Sequence, residues 1–342
     1  MELGITTFAE VTEAGVSPGQ RLRQVVEEAV LAEQVGLSVY GVGEHHRADM
    51  AASAPAVVLS AIAGRTERIR LSSAVTVLSS ADPVRVFQDF VTLDLLSSGR
   101  AELMAGRGSF TESFPLFGYS LGDYDALFAE KLDLLLALRA EGPTTWSGQF
   151  RAPLDGVVVH PRPEQPLPVW LAVGGTPESV VRAGTLGLPM ALAIIGGQWA
   201  SFAPHADLYR RALEYGQADP ATPLAVHSHG YVCLDEKAGR AEFLPAYRAT
   251  FDGIGRERGW PTMSDATVEA VLAPEGALFF GHPERVADKI VALTQTLGLQ
   301  RFELHASHVG HAATMRSIEL FGTRVAPLVA ERLAVRAGVD GG

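Results

Sequence analysis

The stretch Glu44-His45-His46 places a carboxylate and two imidazoles directly after the apolar run Ser38–Val42. Imidazole changes charge near neutral pH, so the pair could move a proton, position a substrate or bind a metal. A structural histidine held by Glu44 is the plainer alternative. Arg107 stands between Gly106 and Gly108, after the apolar run Ala101–Ala105. Glycine lets a backbone approach a ligand closely, and the guanidinium fork matches a phosphate or carboxylate. The same three residues would also make a tight turn with a solvated arginine. Gly174-Gly175-Thr176 precedes Pro177, Glu178 and Ser179. That pattern opens a helix, with Thr176 at the N-cap and Pro177 at the first helical position. Free N–H groups and the helix dipole there favour an anion. The stretch is neither the dinucleotide fingerprint GxGxxG nor a phosphate loop ending in GK[ST].

Histidines recur at 227, 229, 305, 308 and 311, with Glu303 nearby. Zinc asks for three or four ligands at recognisable spacing. The last three histidines straddle a strand end and a glycine-containing loop, so helical spacing does not apply. The reading is pocket lining or a loop fold, with no metal. His227 and His229 lie two apart on a strand and share a face, where barrel lining and core packing both fit. Ser72-Ser73-Ala74-Val75-Thr76 ends another apolar run with small residues, against which a flat ring could lie. No GxSxG nucleophile motif is present.

The elements that must carry these stretches alternate. Strands are expected at Leu3–Phe8, Ser38–Val42, Ile69–Leu78, Ala101–Ala105, Pro168–Val173, Leu188–Ile195, Leu224–Leu234 and Arg301–His305. Helix-period segments connect them, among them Gln20–Gln34, Pro55–Gly64, Val84–Leu96, Tyr124–Arg139, Pro283–Leu297 and Ala312–Ala326. Eight βα units in strict alternation predict an α/β fold, a closed (β/α)8 (TIM) barrel, rather than an open doubly wound sheet. Insertions follow the fourth and seventh strands: Gly142–Gln165, read as a surface excursion or hairpin, and Gly253–Glu275, read as irregular and mobile. Residues 1–330 read as one domain and 331–342 as a frayed tail. In such a barrel the strand ends meet on one face, so Glu44–His46, Arg107–Ser109, Gly174–Thr176, Ile195–Gly197 and His305 are expected to converge.

The net charge of -11 argues against nucleic acid or an anionic membrane as partner. The single cysteine, Cys233, leaves no internal disulfide and suits a reducing cytoplasm. No apolar run approaches a membrane span. The start MELGITTFAE lacks the basic and apolar regions of a secretory leader.

Together GVGEHH (41–46), the stretch 71–100, AGRGSF (105–110), VWLAVGGTPESVVRAGTLGLPM (169–190) and RSIELFG (316–322) resemble the bacterial luciferase-like superfamily of flavin-dependent monooxygenases. The resemblance covers nearly the whole chain, and the stand-alone FMN-dependent members look nearest. It implies a barrel, usually dimeric, that binds reduced FMN supplied by a separate reductase, or in some branches the deazaflavin F420. With FMN, O2 would react at the flavin C4a and oxidise a small organic substrate. Alternatives are F420-dependent hydride transfer and a flavin-binding protein without catalysis. The resemblance places His45 as the catalytic histidine and Arg107, Gly175, Thr176 and Ser179 at the phosphate, and Gly108 and Gly174 in the same loops are expected to bind the cofactor. It places a non-proline cis peptide at Ala74-Val75 behind the ring; Gly196, in the loop after the sixth strand, is also expected to bind the cofactor. Phe110 and Phe114, in the loop Ser109–Phe117, and the 253–275 insertion would cover the pocket. Gly106 stands where luciferases carry a cysteine and Ile194 where they carry a tryptophan, so light emission is not implied.

Overall fold

The computed structural model describes residues 1–108 and 110–339; the side chains of Arg258 and of 336–339 lie outside that description. The chain opens with β1 (Glu2–Thr7), α1 (Pro18–Gln34), β2 (Val39–Val42), α2 (Pro55–Ala63), β3 (Arg70–Ser73), β4 (Thr76–Val77) and α3 (Pro83–Leu96). It continues through β5 (Ala101–Gly106), α4 (Ser113–Leu116), α5 (Tyr124–Arg139), β6 (Thr144–Trp146), β7 (Leu154–Val157), β8 (Val169–Val173) and α6 (Pro177–Thr185). Then come β9 (Met190–Ala193), α7 (Ala203–Tyr215), β10 (Leu224–Val232), α8 (Glu236–Arg258), α9 (Asp265–Leu272) and β11 (Phe279–Gly281). The chain closes with α10 (Pro283–Leu297), β12 (Arg301–His305), α11 (His311–Leu320) and α12 (Ala326–Val339).

Strands β1, β2, β3, β5, β8, β9, β10 and β12 pair in parallel in that order, and β12 closes on β1. This is the expected α/β barrel. Helix starts follow local chemistry. Ser17 Oγ accepts from the Gln20 amide ahead of Pro18, and Asp82 Oδ1 accepts from Val84 and Arg85 ahead of Pro83. Such caps hold amides that have no partner within the helix. Alternate strand residues, among them Leu71, Leu103, Leu171, Leu192, Phe302 and Leu304, pack outward against the helices in one apolar layer. The others face the barrel interior.

Several boundaries differ from the sequence reading. The third strand breaks into β3 and β4 at a cis Ala74-Val75 bond, the bond that the resemblance singles out. The excursion after the fourth strand is an antiparallel hairpin, β6 with β7, one of the two forms expected of it. The segment 253–275 is mostly helical rather than irregular. Helix α8 passes through Gly253 and Gly255 and stops only at Gly259, whose φ of 70° ends it. Helix α9 then buries Val268, Val271 and Leu272. The segment is expected to be irregular, but one face of α8 has Phe243, Tyr247 and Phe251 to pack. At the other end, 331–339 continue α12, which buries Val329 and ties Arg332 to Asp288 at 2.9 Å. The rest of the expected tail, 340–342, lies outside the described residues. No helix among the described residues is long and apolar enough to cross a membrane.

Candidate active site

The C-terminal ends of the barrel strands enclose a cavity of about 300 Å³. His45, Ala74, Val75, Arg107, Gly108 and Gly174 line it, as the sequence reading expects. Gly175, Thr176 and Ser179 stand at its edge, where α6 opens. Gly196 is not on its wall; its neighbour Ile195 is. Ile194 is packed into the outer core instead. Of the loop aromatics, Phe110 lines the cavity, whereas Phe114 is buried against Tyr124 at 5.5 Å. Ser109 lies outside the described residues. From the second expected cover, Thr250, Phe251 and Ile254 of α8 form part of the wall.

One wall is flat because its side chains are small: Ala74, Val75, Gly106, Ala172 and Ala193. Gly106 is required there, since a Cβ would come within 2.7 Å of Val75. Gly43 is required for the same reason, since a Cβ would meet Phe8 at 2.4 Å and the Ala74 carbonyl at 2.8 Å. Glu44 fastens this wall. Its amide donates to the Val75 carbonyl at 3.0 Å and its Oε2 accepts from the Val77 amide at 2.8 Å. Its Oε1 meets His46 Nε2 at 2.9 Å. The histidine held by Glu44 is therefore His46, and His45 is left to the cavity. His45 sits edge-on to Phe8 and Phe110, with ring centroids 4.7 and 5.0 Å away. Its Nδ1 lies 3.8 Å from Glu112 Oε1. Burial opposes charge on Glu112, but hydrogen bonding and charge from His45 outweigh it and hold the carboxyl below its ordinary range.

At the rim, Arg107 Nη2 donates to Thr176 Oγ1 at 3.4 Å, and Thr176 Oγ1 donates to Ser179 Oγ at 2.8 Å. Arg107 Nη1 also meets Asp125 at 2.6 Å, a pair that stays open to solvent. Thr176 makes no side-chain cap. The amides of Gly175, Thr176 and Glu178 have no acceptor among the described residues. A guanidinium, two hydroxyls and three open amides beside a helix dipole fit a phosphate group. The turn is braced from behind by His205 Nε2 on the Gly175 carbonyl at 2.7 Å, and Gly175 takes φ 106°.

The cavity floor is a buried polar cluster. The Glu10 carboxylate accepts from His305 Nε2 at 2.7 Å. Thr6 Oγ1 lies 3.4 Å from both His305 Nδ1 and His227 Nδ1. His229 Nδ1 and His308 Nε2 are 2.8 Å apart, and His308 Nδ1 reaches Thr250 Oγ1 at 3.3 Å. Burial, and then the charge of His305, lower His227 and His308 to about 3 and His229 well below its usual value, so these rings are neutral. Burial opposes the Glu10 charge, but His305 outweighs it and keeps Glu10 ionised. Arg21, clamped on Glu28 at 2.6 Å, donates through Nε to the Glu10 carbonyl and sets that loop. His305, His308 and His311 do not come together as one group. His311 turns outward to Glu27 and Glu28, and His229 takes its place, with nitrogens of the three rings within 4.8 Å of one another. Glu303 lies deeper in the barrel, fully buried, away from this group.

Sequence reasoning missed Glu10, Glu112, Thr250 and His205. Glu10 carries the same signal as Glu44, an ionisable residue just past a buried strand. The other three come from loops and helices whose approach to the cavity no local pattern announces.

The family described as luciferase-like monooxygenase matches residues 1–301, and the chain belongs to it. Among curated relatives, an F420-dependent glucose-6-phosphate dehydrogenase of Amycolatopsis mediterranei is 33% identical over 162 residues, 45% of this chain and 48% of its own. The chain spans about half the length of the first curated relatives it matches. Among solved structures, the monooxygenase RslO1 from Streptomyces bottropensis superposes with a TM-score of 0.85 at 22% identity, covering 96% of this chain and 99% of that one. The oxygenating constituent of 3,6-diketocamphane monooxygenase from Pseudomonas putida, solved with FMN, superposes at 0.76 and 20% identity, covering 96% and 98%. At these identities the two structures speak to the fold.

Proposed function

We propose that this protein is a flavin-dependent monooxygenase that uses reduced FMN and O2 to oxidise a small organic substrate. The observation that carries this reading is the rim set of Arg107, Thr176, Ser179 and the open amides beside the small-residue wall. It offers a phosphate anchor and a flat ring seat in one cavity. When bound, the flavin supplies the redox chemistry with O2. Arg107 and the α6 opening hold the phosphate. Ala74, Val75, Gly106 and Ala172 back the ring. Phe110 and the α8 residues Phe251 and Ile254 exclude water from the reacting face. His45 Nε2 has no hydrogen-bond partner among the described residues, and there it holds or hands over a proton during turnover. A separate reductase supplies the reduced cofactor. A homodimer forms through α2 and α3, which leave Val57 and Leu96 open to solvent.

A second reading, hydride transfer with F420, draws on the same phosphate anchor and on the F420-dependent relative. Parallel titration of FMN and F420, oxidised and reduced, into the protein separates the two. Tight binding of reduced FMN, weakened about 10- to 100-fold by Arg107→Ala, supports the monooxygenase. Binding of F420 alone moves the protein to hydride transfer. Binding of neither overturns both readings.

A further inference from the structure

The open amides at the rim belong to a turn that does not aim them by itself. Gly174 and Gly175 precede Thr176, and glycine leaves the backbone many conformations. The Thr176 amide has no acceptor among the described residues. Its direction is set from outside the turn. His205 Nε2 lies 2.7 Å from the Gly175 carbonyl oxygen. A carbonyl can only accept, so Nε2 carries the proton of that bond in either charge state of the ring. The Gly175 carbonyl and the Thr176 N–H belong to one peptide group. That peptide is trans, so the two point in opposite directions. Holding the oxygen against His205 therefore aims the Thr176 N–H away from His205. The bond also polarises the peptide, which strengthens its N–H as a donor.

Helix α7 is a firm support for this bond. Tyr209, one helical turn after His205, donates to the Leu188 carbonyl at 2.8 Å. A Cβ on Gly184 would come within 2.5 Å of the Ala212 Cβ, so α6 and α7 pack at close range. The same helix thus holds the chain just before α6 and just after it. Packing alone does not explain the imidazole. Its Nδ1 is buried with no hydrogen-bond partner among the described residues, a cost that an apolar ring of similar shape would avoid.

We infer that His205 is a positioning residue for the cofactor phosphate, acting through the Gly175–Thr176 peptide. The inference rests on the flavin reading for the identity of the anion. It differs from a plain bracing role in one respect: its effect is confined to ligands that carry the phosphate.

The test is anaerobic calorimetric titration of reduced FMN and reduced riboflavin, which differ only in the phosphate, into wild type and His205 variants. Wild type should bind FMN more tightly than riboflavin. His205→Phe keeps a ring without a donor, and should weaken FMN about 5- to 20-fold while leaving riboflavin unchanged. His205→Gln, whose side-chain amide can donate to the same carbonyl, should recover most of the loss. Thermal unfolding establishes that each variant is folded, and His205→Leu serves where His205→Phe is not. Equal weakening of both flavins would mean that the ring only supports the fold. Unchanged FMN binding in a folded Phe or Leu variant would mean that the turn aims its own amides. Either result overturns the inference and leaves the flavin reading standing, whereas wild type that binds neither flavin overturns both.

Discussion

The barrel holds buried charge at both ends, and the two ends are built differently. At the strand starts Arg301, 2% exposed, grips Glu102 through two bonds of 2.6 and 3.1 Å and Glu2 through one of 2.7 Å. Its guanidinium also lies 4.3 Å from the Trp170 ring. At the strand ends, one carboxylate, Glu10, holds His305, beside His227, His229 and His308, which burial keeps neutral. Arginine keeps its proton at all working pH values, so the first arrangement can only lock the barrel. Imidazoles exchange donor and acceptor roles, so the second can answer a ligand. The same closed space is spent on stability at one end and on chemistry at the other.

This contrast can be broken from either side. The largest effect is expected at the top. His45→Ala should lower turnover about 10²- to 10⁴-fold while leaving flavin binding and the melting temperature nearly unchanged. Steady-state kinetics beside calorimetry check it, and unchanged turnover would remove His45 from the mechanism. At the bottom, Arg301→Ala removes two bonds from the buried Glu102, which keeps only Arg70 at 2.9 Å, and should cost about 2–4 kcal/mol of stability, read from denaturant unfolding. A loss below about 1 kcal/mol would show that the lower cluster does not lock the barrel.

Between the ends stands Glu303, whose carboxylate oxygens have no hydrogen-bond partner. Burial pushes its carboxyl up to about 7, more than the Arg301 charge 3.6 Å away pulls it down. Because the folded state holds the proton more tightly than the unfolded chain, the group favours folding at low pH. That contribution fades as pH rises through about 7. Glu303→Gln should therefore remove about 2 kcal/mol of the stability difference between pH 5 and pH 8. Unfolding curves at the two pH values check it. A pH dependence equal to wild type would mean that the carboxyl titrates normally in the barrel.

Much of the architecture was legible because strand and helix patterns are local. Arg301–His305, Tyr124–Arg139 and Pro283–Leu297 match the expected ranges to the residue, each being a clean periodic run between turn signals. The rim was legible for a similar reason. Gly174-Gly175-Thr176-Pro177 is a helix opening whatever surrounds it, and Arg107 follows a strand of unmistakable pattern. Where the reading failed, packing outweighed a local rule. Gly253 and Gly255 lie inside a helix because the aromatic face of α8 must be covered, and Ile195 rather than Gly196 reaches the cavity.

The sequence by itself determined the alternation of strands and helices, and with it the barrel and the face on which its strand ends meet. It also determined which residue types arrive at that face. Only the tertiary structure decided the pairings: Glu44 with His46 instead of His45, Glu10 with His305, and His229 with His308 in place of His311. The physical reason is that hydrogen bonds within a cavity depend on distances of a few tenths of an ångström between residues as far apart as Glu10 and His305. Periodicity fixes which face a side chain takes, whereas closure of the barrel sets those distances.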